Sequence, residues 1–390
     1  MEKSRVVIPC AKGILPFLRE EILSLGLPIL SESVSFVETE GTLEDAMKLN
    51  LHIRTGQRIL FLLEEFRAKN PEELYKEIVE MPWETYLRED GYFCVTSSVD
   101  HPTIKDSRYA NLKCKDAVVD RFIKKFGRRP DSGPERDRVV VHLHWQGRQC
   151  RIFLDTSGEP LSKRGYRKIP LKAPMQETLA AATVLATGWE GNGNFINPMC
   201  GSGTLAIEAA MIGLSRPPGL LRSNFGFMHL RGFDEISWKE LRKQAKAGTR
   251  KSIDSKIVAT DISRSAVEAA RQNAATAGVD HWIDFSVCNF TETPVPEGGG
   301  VVMFNPPYGE RMGEIKALEE TYRGIGDFLK KRCDGYKGYV FTGNLGLGKK
   351  VGLRTRRRIP FFNGEIECRL LEYDLYEGSR KHVPANDLEG

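Results

Sequence analysis

The chain has 390 residues, of which 41% are hydrophobic and 28% charged, so it is too apolar for global disorder and long enough for two or three domains. It contains no uncharged apolar run of about 18 residues, which excludes a membrane-spanning helix. Its eight cysteines are scattered singly, which disfavours both a cysteine zinc site and a disulfide framework. The apolar stretch at the start is too short for a secretory signal. Together these features lead us to expect a cytoplasmic protein with no metal and no membrane partner.

Basic residues outnumber acidic ones only slightly, 57 to 52, which gives a net charge of +5. Local clusters are more informative, because several cations close together can hold phosphates. The alternative interpretation of each cluster is a solvated face. The clusters lie at residues 124–129, 163–172 and 354–358.

Residues 1–155 alternate short strand-like and helix-like segments, which predicts an α+β region. A helix is expected over Gly13–Leu25, ending at a glycine. A second, longer helix is expected over Lys105–Phe126, with Leu112, Val118, Val119, Phe122 and Phe126 facing inward. Two strands, Val139–His144 and Cys150–Leu154, are expected to form a hairpin. We find no catalytic constellation in this half of the sequence.

Residues 156–175 are polar, basic and rich in Gly and Pro, which predicts a linker or hinge. The following half then alternates strands and helices, a pattern typical of a doubly wound parallel sheet. It ends differently, because Asn363-Gly364 between two strand-like runs predicts an antiparallel hairpin. Gly343–Lys350 resembles a phosphate-binding loop but has Lys350 where Ser or Thr would be required, so we expect a glycine-rich surface loop.

The first candidate site is the turn Asn197-Pro198-Met199-Cys200-Gly201-Ser202-Gly203-Thr204, between a strand and a helix. Gly201 and Gly203 permit a tight turn and close approach of a ligand, and the helix start offers unpaired amides. A dinucleotide-binding fold would place an acid about 20 residues further on. Here an insertion, Leu214–Ser255, intervenes, and Asp261 ends the next strand. Asp261 can accept both hydroxyls of a ribose. The alternative is a cap for the helix that follows, and one carboxylate can serve both roles.

The most specific signal is Asn305-Pro306-Pro307-Tyr308, which follows an apolar strand. The two prolines lack amide donors and stiffen the turn. The side-chain oxygen of Asn305 and the carbonyl of Pro306 can accept both protons of one NH2 group, while Tyr308 offers a face for stacking. Two acceptors and a ring suit the exocyclic amine of a nucleobase, whose reactivity then depends on orientation.

These motifs resemble those of the class I S-adenosylmethionine-dependent amino-methyltransferases. Within that group the chain is most similar to the bacterial 23S ribosomal RNA guanine-N2 methyltransferases that carry a THUMP domain. The likeness covers about residue 50 to residue 375. It rests on four segments, at residues 157–167, 177–182, 197–204 and 305–311.

The resemblance implies an α/β protein. A C-terminal doubly wound, Rossmann-like methyltransferase sheet with a terminal antiparallel hairpin would follow an α+β ferredoxin-like and THUMP region that binds RNA. The expected boundaries are an N-terminal ferredoxin-like segment (1–55), a THUMP domain (56–156), a basic linker (157–175), the methyltransferase domain (176–377) and a tail (378–390).

The resemblance also assigns residues to roles. Catalysis would fall to Asn305, Pro306 and Tyr308. S-adenosyl-L-methionine would contact Thr178, Asn197, Pro198, Gly201, Gly203, Thr204, Asp261, Ile262, Asn289 and Asn305. RNA would contact Lys163, Arg164, Arg167 and Arg311. Two positions depart from the family pattern, since Asn197 and Asn289 stand where Asp is usual. Each keeps a side-chain acceptor but loses a negative charge.

The expected reaction is methyl transfer to a guanine N2 in 23S ribosomal RNA or a large-subunit precursor. Because Asn-Pro-Pro-Tyr serves two kinds of amine, adenine N6 in DNA or RNA is an alternative, and a transfer RNA guanine is a third target. A different class of protein is also open, namely a non-catalytic RNA-binding module with a decayed transferase domain.

Overall fold

The structure is a computed structural model and describes residues 2–102, 104–169, 175–309 and 312–375. The first half of the chain contains eight strands and four α-helices within these ranges. The strands are β1 Ser4–Pro9, β2 Ile29–Ser33, β3 Phe36–Gly41, β4 Leu60–Arg67, β5 Tyr92–Asp100, β6 Asp131–Ser132, β7 Val139–Gln146 and β8 Gln149–Asp155. The helices are α1 Leu15–Ser24, α2 Leu43–His52, α3 Pro71–Glu80 and α4 Ser107–Phe126.

These eight strands form one continuous sheet in the order β2-β3-β1-β4-β8-β7-β5-β6. Strand β4 joins its two parts, since Phe61 pairs with Val6 of β1 on one side and with Leu154 of β8 on the other. The sequence suggested a ferredoxin-like segment followed by a separate THUMP domain. In the structure the two share a backbone hydrogen-bond ladder across β4.

The second half of the chain contains seven strands and six helices within the described ranges. The strands are β9 Asn194–Pro198, β10 Ile257–Asp261, β11 Ile283–Val287, β12 Gly300–Phe304, β13 Tyr336–Thr342, β14 Arg357–Asn363 and β15 Ile366–Asp374. The helices are α5 Glu177–Ala186, α6 Thr204–Gly213, α7 Glu235–Ala247, α8 Arg264–Ala277, α9 Met312–Arg332 and α10 Leu345–Lys350.

The second sheet has the order β11-β10-β9-β12-β13-β15-β14. Strands β9 to β13 pair in parallel, whereas β15 runs antiparallel to both β13 and β14. The predicted doubly wound sheet with a terminal hairpin is confirmed. The hairpin turns at Gly364, whose φ of 63° suits glycine, between the paired residues Asn363 and Ile366.

Two local expectations are wrong. In α4, Leu112 and Phe126 are 53% and 38% exposed, because the helix buries the face that carries the small residues Ala110 and Cys114. The glycine-rich segment expected as a surface loop contains α10, which begins after an asparagine cap, since the Asn344 Oδ1 accepts from the backbone N–H of Leu347 at 3.1 Å.

Residues 157–169, which we call the strap, are packed into the protein rather than forming the free hinge that their composition suggested. Ser157, Arg164 and Tyr166 are each no more than 1% exposed. Residues 170–174 of the predicted linker and the tail at 378–390 lie outside the described residues. The strap therefore belongs to the interface between the two halves of the chain.

Arg164 forms a buried ion pair with Glu208 of α6, with 2.7 Å between Nε and Oε1. The same carboxylate oxygen accepts from the hydroxyl of Tyr166 at 3.1 Å, and an Arg164 Nη2 donates to the backbone carbonyl of Arg54 at 2.7 Å. Burial lowers the pKa of Arg164, but the adjacent Glu208 carboxylate outweighs it and the net pKa is raised. The expectation that Arg164 contacts RNA is wrong, because its guanidinium is buried and hydrogen-bonded inside the protein.

None of the helices in the described ranges is both long enough and apolar enough to cross a membrane.

We expect Arg164→Ala to lower the free energy of unfolding by about 3–5 kcal/mol, because it leaves the Glu208 charge buried and unpaired. The matched control is Lys163→Ala, which removes only an exposed ion pair to Glu159 and should cost about 1 kcal/mol or less. Urea denaturation followed by circular dichroism measures both. Equal losses in the two variants would contradict the assignment.

The buried His142 on β7 should make the free energy of unfolding depend on pH in the acidic range. Its Nδ1 lies 2.9 Å from the Thr96 Oγ1, and burial, followed by the charge of Arg58, lowers its pKa to about 4. A histidine in an unfolded chain has a pKa near 6.5. Between about pH 4 and pH 6.5 the unfolded chain therefore binds a proton at this position and the folded chain does not. Stability should fall from pH 6.5 to pH 4, and His142→Gln should make that decline shallower in thermal melts. An unchanged slope would count against this origin.

Candidate active site

The three turns singled out in the sequence lie next to one another at the carboxyl edge of the second sheet. Strand β9 is central, with β10 on one side and β12 on the other. Pro198 of β9 pairs with Thr260 of β10, and Ile196 pairs with Val302 of β12. The glycine turn after β9 is therefore flanked by the turn after Asp261 and by the turn that begins at Asn305.

The two glycines of the first turn have different roles. Gly201 has a φ of 53°, and a Cβ there would meet no atom within 4 Å, so the turn is open at this point. Gly203 has a φ of 82°, and a Cβ there would lie 2.9 Å from the Cβ of Ala270 on α8. Gly201 thus leaves room for a ligand, whereas Gly203 allows α6 to pack closely against α8.

Asp261 holds two of these turns together. Its Oδ2 accepts from the backbone N–H of Gly201 at 3.0 Å, and its Oδ1 accepts from that of Ser263 at 2.9 Å. The capping alternative is wrong, since the cap of α8 is Ser263, whose Oγ accepts from Ala266. A carboxylate has about four acceptor sites, so Asp261 keeps capacity for ribose hydroxyls beside Ile262, which is 72% exposed.

Asn197 ties β9 to β12, since its Nδ2 donates to the carbonyl of Met303 at 2.9 Å. Its Oδ1 is buried and has no hydrogen-bond partner. A buried acceptor left unpaired costs free energy, so this oxygen suits a donor brought by a ligand. Pro198 follows it, and Met199 has a φ of 55°, which is unusual for a residue other than glycine.

The starts of α5 and α6 are held by Arg167 of the strap. One Nη donates to the Thr204 Oγ1 at 3.0 Å and lies 3.5 Å from a carboxylate oxygen of Glu177, next to Thr178. The arginine side chain is only 16% exposed. Arg167 therefore lies beside the glycine turn, where it fixes two helix starts.

Asn289 is exposed after β11, and its Oδ1 accepts from both the backbone N–H and the hydroxyl of Thr291, at 3.1 and 3.0 Å. Its side-chain acceptor is thus engaged within its own turn. Lys163 is 69% exposed at its side chain. Arg311 lies outside the described residues.

The Asn305–Tyr308 turn is held from two sides. The hydroxyl of Tyr308 accepts from the Nδ2 of Asn363 in the β14–β15 hairpin at 2.9 Å. The ring of Tyr308 covers Gly343 at the end of β13, where a Cβ would approach ring carbons to 3.1 Å. Asn305 and Tyr308 are half-buried and Pro306 is buried. The turn thus presents its polar atoms from a fixed backbone.

Sequence reasoning missed Asn363 and Gly343 as supports of the site. Asn363 was interpreted only as a turn residue, and Gly343 only as part of a glycine-rich loop. The sequence offers no signal for either contact, because both depend on the hairpin folding back beside β13.

Two of the four arginines in the basic cluster at 354–358 are held in ion pairs. Arg356 and Arg357 both pair with Glu372, a residue that is 1% exposed, and Arg356 also lies 2.9 Å from Asp374. Within the part of the chain that is described, no group of three or more His, Cys, Asp or Glu side chains is arranged to hold a metal ion.

Comparison with known families agrees with this architecture. Residues 164–372 match the RMKL-like methyltransferase domain, residues 68–155 the THUMP domain and residues 5–60 the RlmL ferredoxin-like domain. The first of these matches alone covers more than half of the chain. The protein belongs to the RMKL-like methyltransferase family.

Individual relatives are similar over nearly the whole chain. "Ribosomal RNA large subunit methyltransferase K/L" of Syntrophotalea carbinolica is 38% identical over 94% of this chain, which corresponds to 53% of that protein. The chain thus spans about half the length of the curated relatives that it matches first.

Two solved structures are also close. The crystal structure of SMU.472 "complexed with SAH" is 29% identical, covers 97% of this chain and 100% of that one, and has a TM-score of 0.86. A "predicted N6-adenine-specific DNA methylase" from Listeria monocytogenes is 30% identical, covers 96% and 97% of the two chains, and has a TM-score of 0.87.

S-adenosylmethionine is the methyl donor of this family, and the residues at the sheet edge fit it. Gly201 leaves open space above its turn, and Asp261 has carboxylate capacity for the ribose. The buried, unpaired Oδ1 of Asn197 offers an acceptor, and the exposed Ile262 offers an apolar surface for the adenine ring.

We expect Asp261→Ala to weaken binding of S-adenosylhomocysteine at least about tenfold, because it removes the bond to Gly201 and the carboxylate that is predicted to accept from the ribose. Isothermal titration calorimetry measures the dissociation constant. The control is Ser263→Ala, which removes the helix cap and should cost about 1 kcal/mol of stability with little change in affinity. An unaltered constant in Asp261→Ala would refute the assigned role.

Proposed function

We propose that this protein transfers a methyl group from S-adenosylmethionine to the exocyclic N2 amine of a guanine in 23S ribosomal RNA. The observation that carries the proposal is the adjacency of the Asn305–Tyr308 turn and the glycine turn on neighbouring strands β12 and β9. The THUMP match and the printed name of the Syntrophotalea relative support ribosomal RNA as the substrate.

Bound S-adenosylmethionine supplies an electrophilic methyl group. The task left to the protein is orientation of the amine, whose lone pair is delocalised into the base. In the proposed role, the Asn305 Oδ1 and the carbonyl of Pro306 accept the two amine protons, so that the lone pair points toward the methyl group. Pro306 and Pro307 hold these acceptors in a stiff backbone.

Tyr308 would stack on the target base once that base has left its helix. Two contacts hold the ring in place, because Asn363 donates to its hydroxyl and its ring carbons lie against Gly343. Lys163 and the exposed part of Arg167 lie on the strap that runs to the glycine turn. Both are proposed to meet RNA phosphates near the site.

We expect Asn305→Ala to abolish methyl transfer while the dissociation constant of S-adenosylhomocysteine stays within a few-fold. The reason is that the side-chain oxygen orients the amine, whereas the cofactor is bound mainly by the first and second turns. A labelled-methyl assay on a large-subunit ribosomal RNA transcript measures transfer. Asn224→Ala is the control, since Asn224 bonds to the carbonyl of Asp137 instead. Unchanged turnover in Asn305→Ala would show that the Asn305 side chain does not orient the amine.

The same labelled reaction identifies the product. Nucleoside analysis should show N2-methylguanosine. The name of the Listeria structure favours the alternative, methylation of adenine N6 in DNA, so a parallel reaction uses DNA as the substrate. N6-methyladenine in the DNA or the RNA product would replace our proposal with this alternative. A wild-type protein that neither binds S-adenosylhomocysteine nor transfers methyl would instead be an RNA-binding module.

A further inference from the structure

A cavity of about 500 Å³ lies beside the active site and has no role in the function proposed above. We call it the hairpin cleft. One wall comes from the loop after β1 and from Gln57, in the first half of the chain. The second wall is the start of α5, and the third is the turn of the β14–β15 hairpin, from Phe362 to Glu365.

The two distant walls are packed against each other. Gly13 has a φ of 85°, and a Cβ there would collide with the carbonyl oxygen of Pro360 on β14. Phe17 of α1 stacks on Phe361, with ring centroids 6.0 Å apart. The loop after β1 therefore packs against the hairpin, and these contacts define the shape of the cleft between them.

Asn363 connects the cleft to the Asn305–Tyr308 turn. It lines the cleft and donates its Nδ2 to the hydroxyl of Tyr308 at 2.9 Å. The cleft therefore lies beyond the hydroxyl end of the ring. Thr178 lines the same cleft at the start of α5, which places the cleft next to the cofactor side as well.

The lining has the chemistry of a nucleotide site. The amides of Gln57, Gln176 and Asn363 offer both donors and acceptors, as a base edge requires. The two charged lining residues are Lys12 and Glu365, which offset each other, so the cleft as a whole is not an anion site.

An aromatic ring and a cation meet at the rim. The Nζ of Lys12 lies 5.7 Å from the centroid of the half-buried Phe362 ring. Lys12 itself is exposed and has no ion-pair partner among the described residues. A ring for stacking and a cation for a phosphate are the two elements by which proteins hold single-stranded RNA.

We propose that the hairpin cleft binds the nucleotide next to the flipped target base, with Lys12 on its phosphate and Gln57 on its base. This inference rests on the proposed function and gives the ferredoxin-like part of the chain a direct contact with the substrate strand close to the chemistry. The strand would pass from the face of Tyr308 into the cleft.

The test compares Lys12→Ala and Gln57→Ala with Lys3→Ala, which removes an exposed lysine at the other end of β1. The probe is a large-subunit ribosomal RNA transcript, assayed for kcat and KM of methyl transfer. We expect Lys12→Ala to raise the KM for RNA about tenfold with kcat nearly unchanged, and to reduce the salt slope of RNA binding by about one. Gln57→Ala should raise KM without changing the slope, since it loses a base contact.

A second measurement excludes a structural origin. The dissociation constant of S-adenosylhomocysteine and the thermal midpoint should match wild type in all three variants. If wild type transfers methyl to RNA but Lys12→Ala and Lys3→Ala have the same KM, the subsite is overturned and the proposed function stands. If wild type transfers no methyl to RNA, both the proposed function and the subsite are overturned.

Discussion

Arg164 and Glu208 meet in the interior, where a single unpaired charge would cost several kcal/mol. The pair is tolerable because all three guanidinium nitrogens and the Glu208 Oε1 are hydrogen-bonded, whereas the buried Glu208 Oε2 has no hydrogen-bond partner. The guanidinium also donates to the carbonyls of Leu161 and Arg54, and Tyr166 donates to the carboxylate. Arg54 belongs to the first half of the chain and Glu208 to the second. The first half therefore supplies the Arg54 carbonyl, and the second half the Glu208 carboxylate, to the same guanidinium, and this shared partner couples the two halves.

The coupling extends to the glycine turn. After Tyr166 the strap runs along α8, where the Asn273 Oδ1 accepts from the backbone N–H of Lys168 at 2.9 Å. The Nδ2 of the same asparagine donates to the carbonyl of Ser202, in the turn itself, at 3.1 Å. Glu208 lies on α6, which begins in that turn. The segment that joins the two halves thus also shapes the cofactor side of the site.

Local patterns in the sequence predicted those elements whose formation depends on residues close together in the chain. The alternation of strands and helices, the Asn363-Gly364 hairpin and the two site turns are each specified by neighbouring residues. The burial of Arg164 was not predictable, since its partner lies 44 residues away and its basic neighbours suggest an exposed face. The same holds for Asn363 and for β4, whose roles depend on pairing between distant segments.

The insertion between α6 and β10 adds further contacts to the strap and to the first half of the chain. The backbone N–H of Phe227 donates to the carbonyl of Thr156, and that of Arg231 to the carbonyl of Tyr86, at 3.1 and 2.9 Å. The strap and the insertion together connect the eight-stranded sheet to the domain that carries Tyr308. In the proposed function this connection selects the target by RNA shape, because only a base at the matching distance from the bound RNA reaches the turn.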